Sequence, residues 1–175
     1  MKKRSLSDLN RVDTETFKKQ EKNSIVVILD NIRSMHNIGS IFRTADAFAI
    51  EKIMLCGITA CPPHREIEKT ALGATESVDW EYHKETSDAM KLLKEQGYTI
   101  YAIEQADSSI FIQDFERKNQ EKIAIVFGNE VEGVQQSVID ECTGCIEIPQ
   151  FGTKHSFNVS VTAGIVLYAL VNSKP

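Results

Sequence analysis

The chain has no apolar run approaching the roughly 18 residues that a membrane span needs, so no membrane partner is expected. Its start, MKKRSLSDLN, is basic but has no apolar segment behind it. It does not read as a signal peptide, and a cytoplasmic protein is expected. Cysteine is scarce: Cys56, Cys61, Cys142 and Cys145 are the four present. A cytoplasmic address argues against disulfides. Cys142 and Cys145 form a CxxC, but it precedes a strand, whereas a redox CxxC opens a helix. The Cys56–Cys61 spacing is too wide to support a zinc site with it. Small buried side chains are the expectation, and no metal.

Several catalytic signatures are also missing. No G-x-G-x-x-G occurs. The loop Gly128-Asn129-Glu130-Val131-Glu132-Gly133 is followed by Val134-Gln135, not by the Lys and Ser/Thr of a phosphate-cradling loop. His155-Ser156 has no G-x-S-x-G around it, which removes a serine hydrolase. Glu130 and Glu132 are a carboxylate pair, but nothing else supports a sugar site. There is no internal repeat and no Pro/Gly/Ser-rich linker.

What is present is enough for one domain. At 175 residues the chain can bury a real core. The charge is uneven. Residues 1–22 hold seven Lys/Arg against four acids, a net +3 that leaves −8 on the remainder of a chain of net −5. Residues 1–23 read as a basic helical arm, with Leu6, Leu9, Val12 and Phe17 at helical spacing, and 24–175 as the globular domain. A basic arm on an acidic body can meet a phosphate backbone locally, although a solvated helix face gives the same pattern.

Ile25 to Asp30 is an unbroken β-branched run, as in a parallel strand covered on both faces. Strands are expected at 52–56, 78–82, 99–104, 110–112 and 123–127, and a short one spans Ile146 and Ile148. Helices are expected from Asn37 to Ala49, at 66–71, 87–96 and 134–141, and through the uncharged stretch 163–171. Asn37, Ser40 and Arg43 fall at successive threes, off the apolar face of their helix. Ser156 or Asn158 can cap the last helix. Alternating strands and helices give an α/β fold with a mainly parallel sheet flanked by helices. Ligands of such sheets sit beyond the strands' carboxyl ends. The loops 104–107, 128–133 and 150–156 follow buried strands and are the candidate binding loops.

Three blocks then stand out in order: Asn37-Ile38-Gly39-Ser40-Ile41-Phe42-Arg43-Thr44-Ala45, then Gly128 to Gly133, then Ile148-Pro149 with Gly152 and Ser156-Phe157-Asn158-Val159-Ser160. Together they resemble the three motifs of the SpoU family of RNA ribose 2′-O-methyltransferases, within the SPOUT superfamily, over about residues 24–172. Lys69 to Ala74, KTALGA, adds to the resemblance. Two departures are small: Phe157 stands where the family often has Leu, and Gln150 where Met is frequent. No separate RNA-binding domain is expected ahead of the motifs, and the short arm looks like that of compact tRNA-modifying members.

The resemblance implies a C-terminal deep trefoil knot and a homodimer with its active site near the interface. It implies S-adenosylmethionine held bent by the knot, with Ile103, Glu104, Gly128, Ile148 and Phe157 at the binding positions. Arg43 matches the catalytic arginine, and Asn37, Glu130, Ser156 and Asn158 match the other catalytic positions. The implied activity is methylation of a ribose 2′-hydroxyl without a metal, with RNA as partner. tRNA is favoured over rRNA because of the compact build and basic arm. A binding-only RNA protein on the same fold is the alternative, against which both Arg43 and Asn37 count. A base methyltransferase fits such motifs poorly.

Overall fold

The structure, a computed structural model, describes residues 1–5, 8, 11–118 and 121–172. Seven strands form a single sheet: β1 (Asn23–Asp30), β2 (Ile50–Cys56), β3 (Asp79–His83), β4 (Thr99–Ile103), β5 (Ile110–Phe111), β6 (Ile123–Phe127) and β7 (Gly144–Glu147). Their order is β3-β2-β1-β6-β4-β7-β5, and every neighbouring pair is parallel. The helices are α1 (Thr14–Lys19), α2 (Met35–Ala47), α3 (Arg65–Ala71), α4 (Ala74–Ser77), α5 (Thr86–Glu95), α6 (Gln136–Glu141) and α7 (Val159–Asn172).

The continuous apolar runs explain the layering. In β1 and β6, successive side chains point to opposite faces, and both faces are covered. Ile25, Val27 and Leu29 join Ile123, Ile125 and Phe127 in a core with α2 and α7. Val26 and Ile28 join Ala124 and Val126 in a second core with α5. Each fully buried Ile or Leu contributes about 1.5–3 kcal/mol. The α2–α3 contact depends on Gly39, where a Cβ would lie 2.1 Å from the Ile67 carbonyl oxygen and 2.2 Å from Thr70 Oγ1.

Several boundaries differ from the sequence reading. The second helix starts at Met35, because Ser34 is its cap and its hydroxyl accepts from the Asn37 N–H at 3.3 Å. It ends at Ala47, and Ala49 takes a positive φ of 48°. The sixth helix starts at Gln136, since the Val134 N–H is given to Glu104. β7 ends at Glu147, so Ile148 lies just past the strand. The strand expected at 110–112 keeps two residues as β5 and passes into a 3-10 turn, Ile112–Asp114. Asn158, not Ser156, caps α7: its Oδ1 accepts from the N–H groups of Ser160 at 2.9 Å and Val161 at 3.4 Å.

In the arm, α1 buries no residue, and Val12 is exposed. Phe17 is half-buried under the Lys22 ammonium, which lies 3.0 Å from the ring centroid. Leu6 and Leu9 lie outside the described residues. Among the described residues, no helix is long and apolar enough to cross a membrane.

Candidate active site

The carboxyl ends of β1, β6, β4 and β7 are neighbours in the sheet, so the loops that leave them meet. The loop after β6 is shaped by its own backbone. Asn129 and Gly133 exchange both backbone hydrogen bonds, at 3.0 and 2.9 Å. The Asn129 carbonyl side-chain oxygen accepts from the Val131 and Glu132 N–H groups, and its amide donates to the Asn31 carbonyl at 2.8 Å. Gly133 needs its positive φ of 70°, and a Cβ there would also strike Glu104 Oε2 at 2.3 Å. Glu104 clamps the far side of this loop, accepting from the Val134 N–H at 3.1 Å and from the Gln105 N–H at 2.9 Å.

A second set of bonds joins all three sequence blocks. The Glu130 carboxylate accepts from the N–H groups of Arg33 and Ser34, each at 2.9 Å, and from the Asn37 amide at 3.0 Å. The Asn37 side-chain oxygen in turn accepts from the Asn158 amide at 3.1 Å. The other end of Asn158 caps α7, and its Oδ1 also accepts from the Ser160 hydroxyl at 2.6 Å. A negative group at the start of α2 also suits the helix dipole. Burial pushes the Glu130 carboxyl up, but the Arg33 N–H, the Asn37 amide and the Ser34 N–H outweigh it and hold the group below its ordinary value.

These loops enclose a cleft of about 700 Å³. That is within the ~300–1,000 Å³ of small-molecule sites. Ile103, Glu104, Gly128, Ile148 and Phe157 all line it, and so do Glu130, Ser156 and Asn158. Asn37 stands behind the rim, tied to Glu130 and Asn158. Arg43 is not brought to this cleft. It is exposed on α2, and among the described residues its guanidinium has no partner.

The sequence reading missed Asn129 and Gln105 as site residues. Asn129 sits inside the block it organises. Gln105 donates to the His155 carbonyl at 2.8 Å and so ties the loop after β4 to the loop after β7. It also missed Asp30, fully buried at the end of β1. The Asp30 carboxylate accepts from the Thr86 hydroxyl at 2.5 Å, the Asn31 amide at 2.9 Å and the Gln135 N–H at 3.4 Å.

The cysteines are free and lie outside the cleft. Burial pushes the Cys56 and Cys142 thiols up to about 12, so neither is a nucleophile near neutral pH. Among the described residues, no three His, Cys, Asp or Glu side chains gather in a way that could hold a metal ion.

A parallel sheet with three crossing loops tied around one carboxyl-edge cleft is the frame of an α/β enzyme that binds a small cofactor. The comparisons make this specific. Residues 24–168 match the model of the SpoU rRNA Methylase family, and the chain belongs to that family. A tRNA (guanosine(18)-2'-O)-methyltransferase of Thermus thermophilus is 29% identical over 166 residues, covering 94% of this chain and 83% of the relative. The A. aeolicus TrmH/SpoU tRNA modifying enzyme superposes with a TM-score of 0.79 at 26% identity, over 91% of this chain and 79% of that one. An AdoMet-bound rRNA methyltransferase from Sinorhizobium meliloti gives a TM-score of 0.79 at 26% identity, over 86% of this chain and 56% of that one. The chain is accordingly an RNA 2′-O-methyltransferase that uses S-adenosylmethionine.

The cleft has the chemistry this cofactor requires. Ile103, Ile146 and Ile148 line the cleft with apolar side chains, and Gln105 and Gln150 with polar ones, a mix that fits a cofactor carrying both a flat base and polar groups.

Proposed function

We propose that the RNA is a tRNA, that the enzyme works as a homodimer, and that the residues joined across the three blocks are its catalytic frame. The bound cofactor supplies an electrophilic methyl on a sulfonium, so the protein's tasks are alignment and proton removal. Glu130, Asn37 and Asn158 form the chain of hydrogen bonds that carries this reading. It spans segments far apart in sequence and ends at the cleft, and it fixes the rim against which a ribose would seat. Ser156, exposed on the same rim, has a hydroxyl to offer the sugar.

Arg43 is suited to orient the 2′-hydroxyl and the adjacent phosphate, which can assist loss of the proton. An arginine stays protonated near neutral pH, so holding an oxygen suits it better than acting as a base. Its absence from the lining of its own chain's cleft favours a site completed by a second copy. Val161 and Tyr168 support that reading, since α7 leaves both apolar side chains exposed along one face. The trefoil knot belongs to the same proposal. β7 enters the sheet between β4 and β5, which precede it in the chain, as threading of the last segment would require. Preference for tRNA rests on the basic arm and on the relative from Thermus thermophilus, which covers nearly the whole chain.

The test is methyl transfer from labelled S-adenosylmethionine to unmodified tRNA and rRNA, followed by nucleoside identification, with Arg43→Ala in parallel. A 2′-O-methyl nucleoside formed in tRNA and lost with Arg43→Ala is the expected result. Label in rRNA alone would overturn the tRNA assignment, and full activity of Arg43→Ala would remove Arg43 from the site. Sedimentation would report the dimer.

A further inference from the structure

We infer that the loop 150–156 carries a base-stacking subsite, in which the ring of Phe151 takes an unpaired nucleobase of the substrate RNA. Phe151 is 97% exposed, the most exposed large apolar side chain apart from Met1 among the described residues. It belongs to neither apolar core. The loop around it is open: residues 151–158 are all exposed, and nothing lies within 4 Å of where a Cβ of Gly152 would be. Yet the loop is anchored past the ring. Gln150 and His155 line the cofactor cleft, and the His155 carbonyl is held by Gln105 at 2.8 Å. Lys154 and His155 follow in the same loop, the only basic side chains between β7 and α7. An aromatic face beside basic groups, at the mouth of a methyl-transfer site, is the combination that binds single-stranded RNA by stacking and phosphate contact.

The inference deepens the RNA reading and rests on it. A ring can stack only on a base that has left its helix, so the subsite selects a nucleotide in a loop rather than in a stem. The apolar ring tolerates any base, and Lys154 and His155 contribute contacts to the backbone.

The experiment compares wild type, Phe151→Ala and Phe151→Trp. Steady-state transfer is measured on the RNA that wild type methylates, S-adenosylmethionine binding by calorimetry, and the oligomeric state by sedimentation. Tryptophan emission is followed on adding an unstructured oligoribonucleotide or a duplex of the same sequence, with wild type giving the signal of Trp80. The expected result is an RNA KM raised about tenfold in Phe151→Ala, the size of one lost stack, with cofactor affinity unchanged. Phe151→Trp restores the KM, and its added emission is quenched by the single strand and not by the duplex. An RNA KM within about twofold of wild type in Phe151→Ala, at the same stacking scale, would overturn the inference. So would equal quenching by both RNAs, or a changed sedimentation that assigns the ring to contact between copies. If wild type methylated no RNA, the functional reading itself would fall, and this subsite with it.

Discussion

Asn37 and Glu130 are 93 residues apart in the chain and joined by a 3.0 Å hydrogen bond. The same Asn37 side chain reaches Asn158, 121 residues away, through its oxygen. One carboxamide, with one donor end and one acceptor end in use, therefore registers the loop after β6 against the cap of α7. Asn37→Asp would replace the donor with an acceptor facing a carboxylate. Its kcat/KM is expected to fall about 100-fold, the scale of a small misplacement in a catalytic frame. Asn37→Ala should fall comparably, with cofactor binding largely kept. Equal activity in steady-state transfer would show that the link does not matter to catalysis.

Glu130 makes a pH-dependent contribution to stability. Its carboxyl lies below the ordinary 4.5 in the folded chain. The stabilisation is therefore present above the unfolded value and is lost as pH falls through the folded one. Wild type should exceed Glu130→Gln in denaturant stability by a constant margin near pH 7, and the margin should shrink below about pH 4.5. A margin independent of pH down to 3 would contradict this account.

Asp30 should act on stability more than on chemistry. Its carboxylate is fully buried and accepts from Thr86, Asn31 and Gln135. Asp30→Ala leaves the buried Thr86 hydroxyl without an acceptor, costing about 1–3 kcal/mol, whereas the N–H of the exposed Gln135 can turn to water. A loss of roughly 1–3 kcal/mol in urea unfolding is expected from that hydroxyl. Asp30→Asn, which keeps one oxygen for Thr86, should lose less. The reverse order would mean that the negative charge, not the acceptors, holds the site.

The arm makes an electrostatic prediction. Residues 1–22 carry a net +3 on a chain of net −5, and α1 buries nothing. Deleting the arm should weaken RNA binding and flatten the slope of log affinity against log salt by a few units at most, since each lost phosphate contact removes about 0.7–0.9. Unchanged affinity and slope would show the arm to be a solvated face only.

Much of this fold was legible because its strands are nearly pure apolar runs. The runs at 25–30 and 123–127 can only be buried on both faces, and they are the centre of the sheet. The site was legible in part because Asn37, Glu130 and Asn158 lie in ordered motifs. The start of α6 was not, because the side chain that claims the Val134 N–H is Glu104, 30 residues earlier. Nor was α4, whose four residues are too few for any periodicity to register. The 37–40–43 spacing placed Arg43 off the apolar face correctly, but periodicity within one helix cannot say which loop, or which copy, that face looks toward. Asp30 was hidden because a strand's last residue usually meets solvent, and its partners arrive from 56 and 105 positions downstream.

The insertion of β7 between β4 and β5 bears on when the enzyme can exist during synthesis. Strands β1 to β4 and β6 can assemble as soon as they leave the ribosome, but one wall of the cleft is not there until β7 slots in. The cap of α7 comes later still. A nascent chain that has emerged only as far as Glu141 holds most of the sheet and none of the completed cleft. Cofactor retention is thus a late event, and a chain that retains it has finished folding.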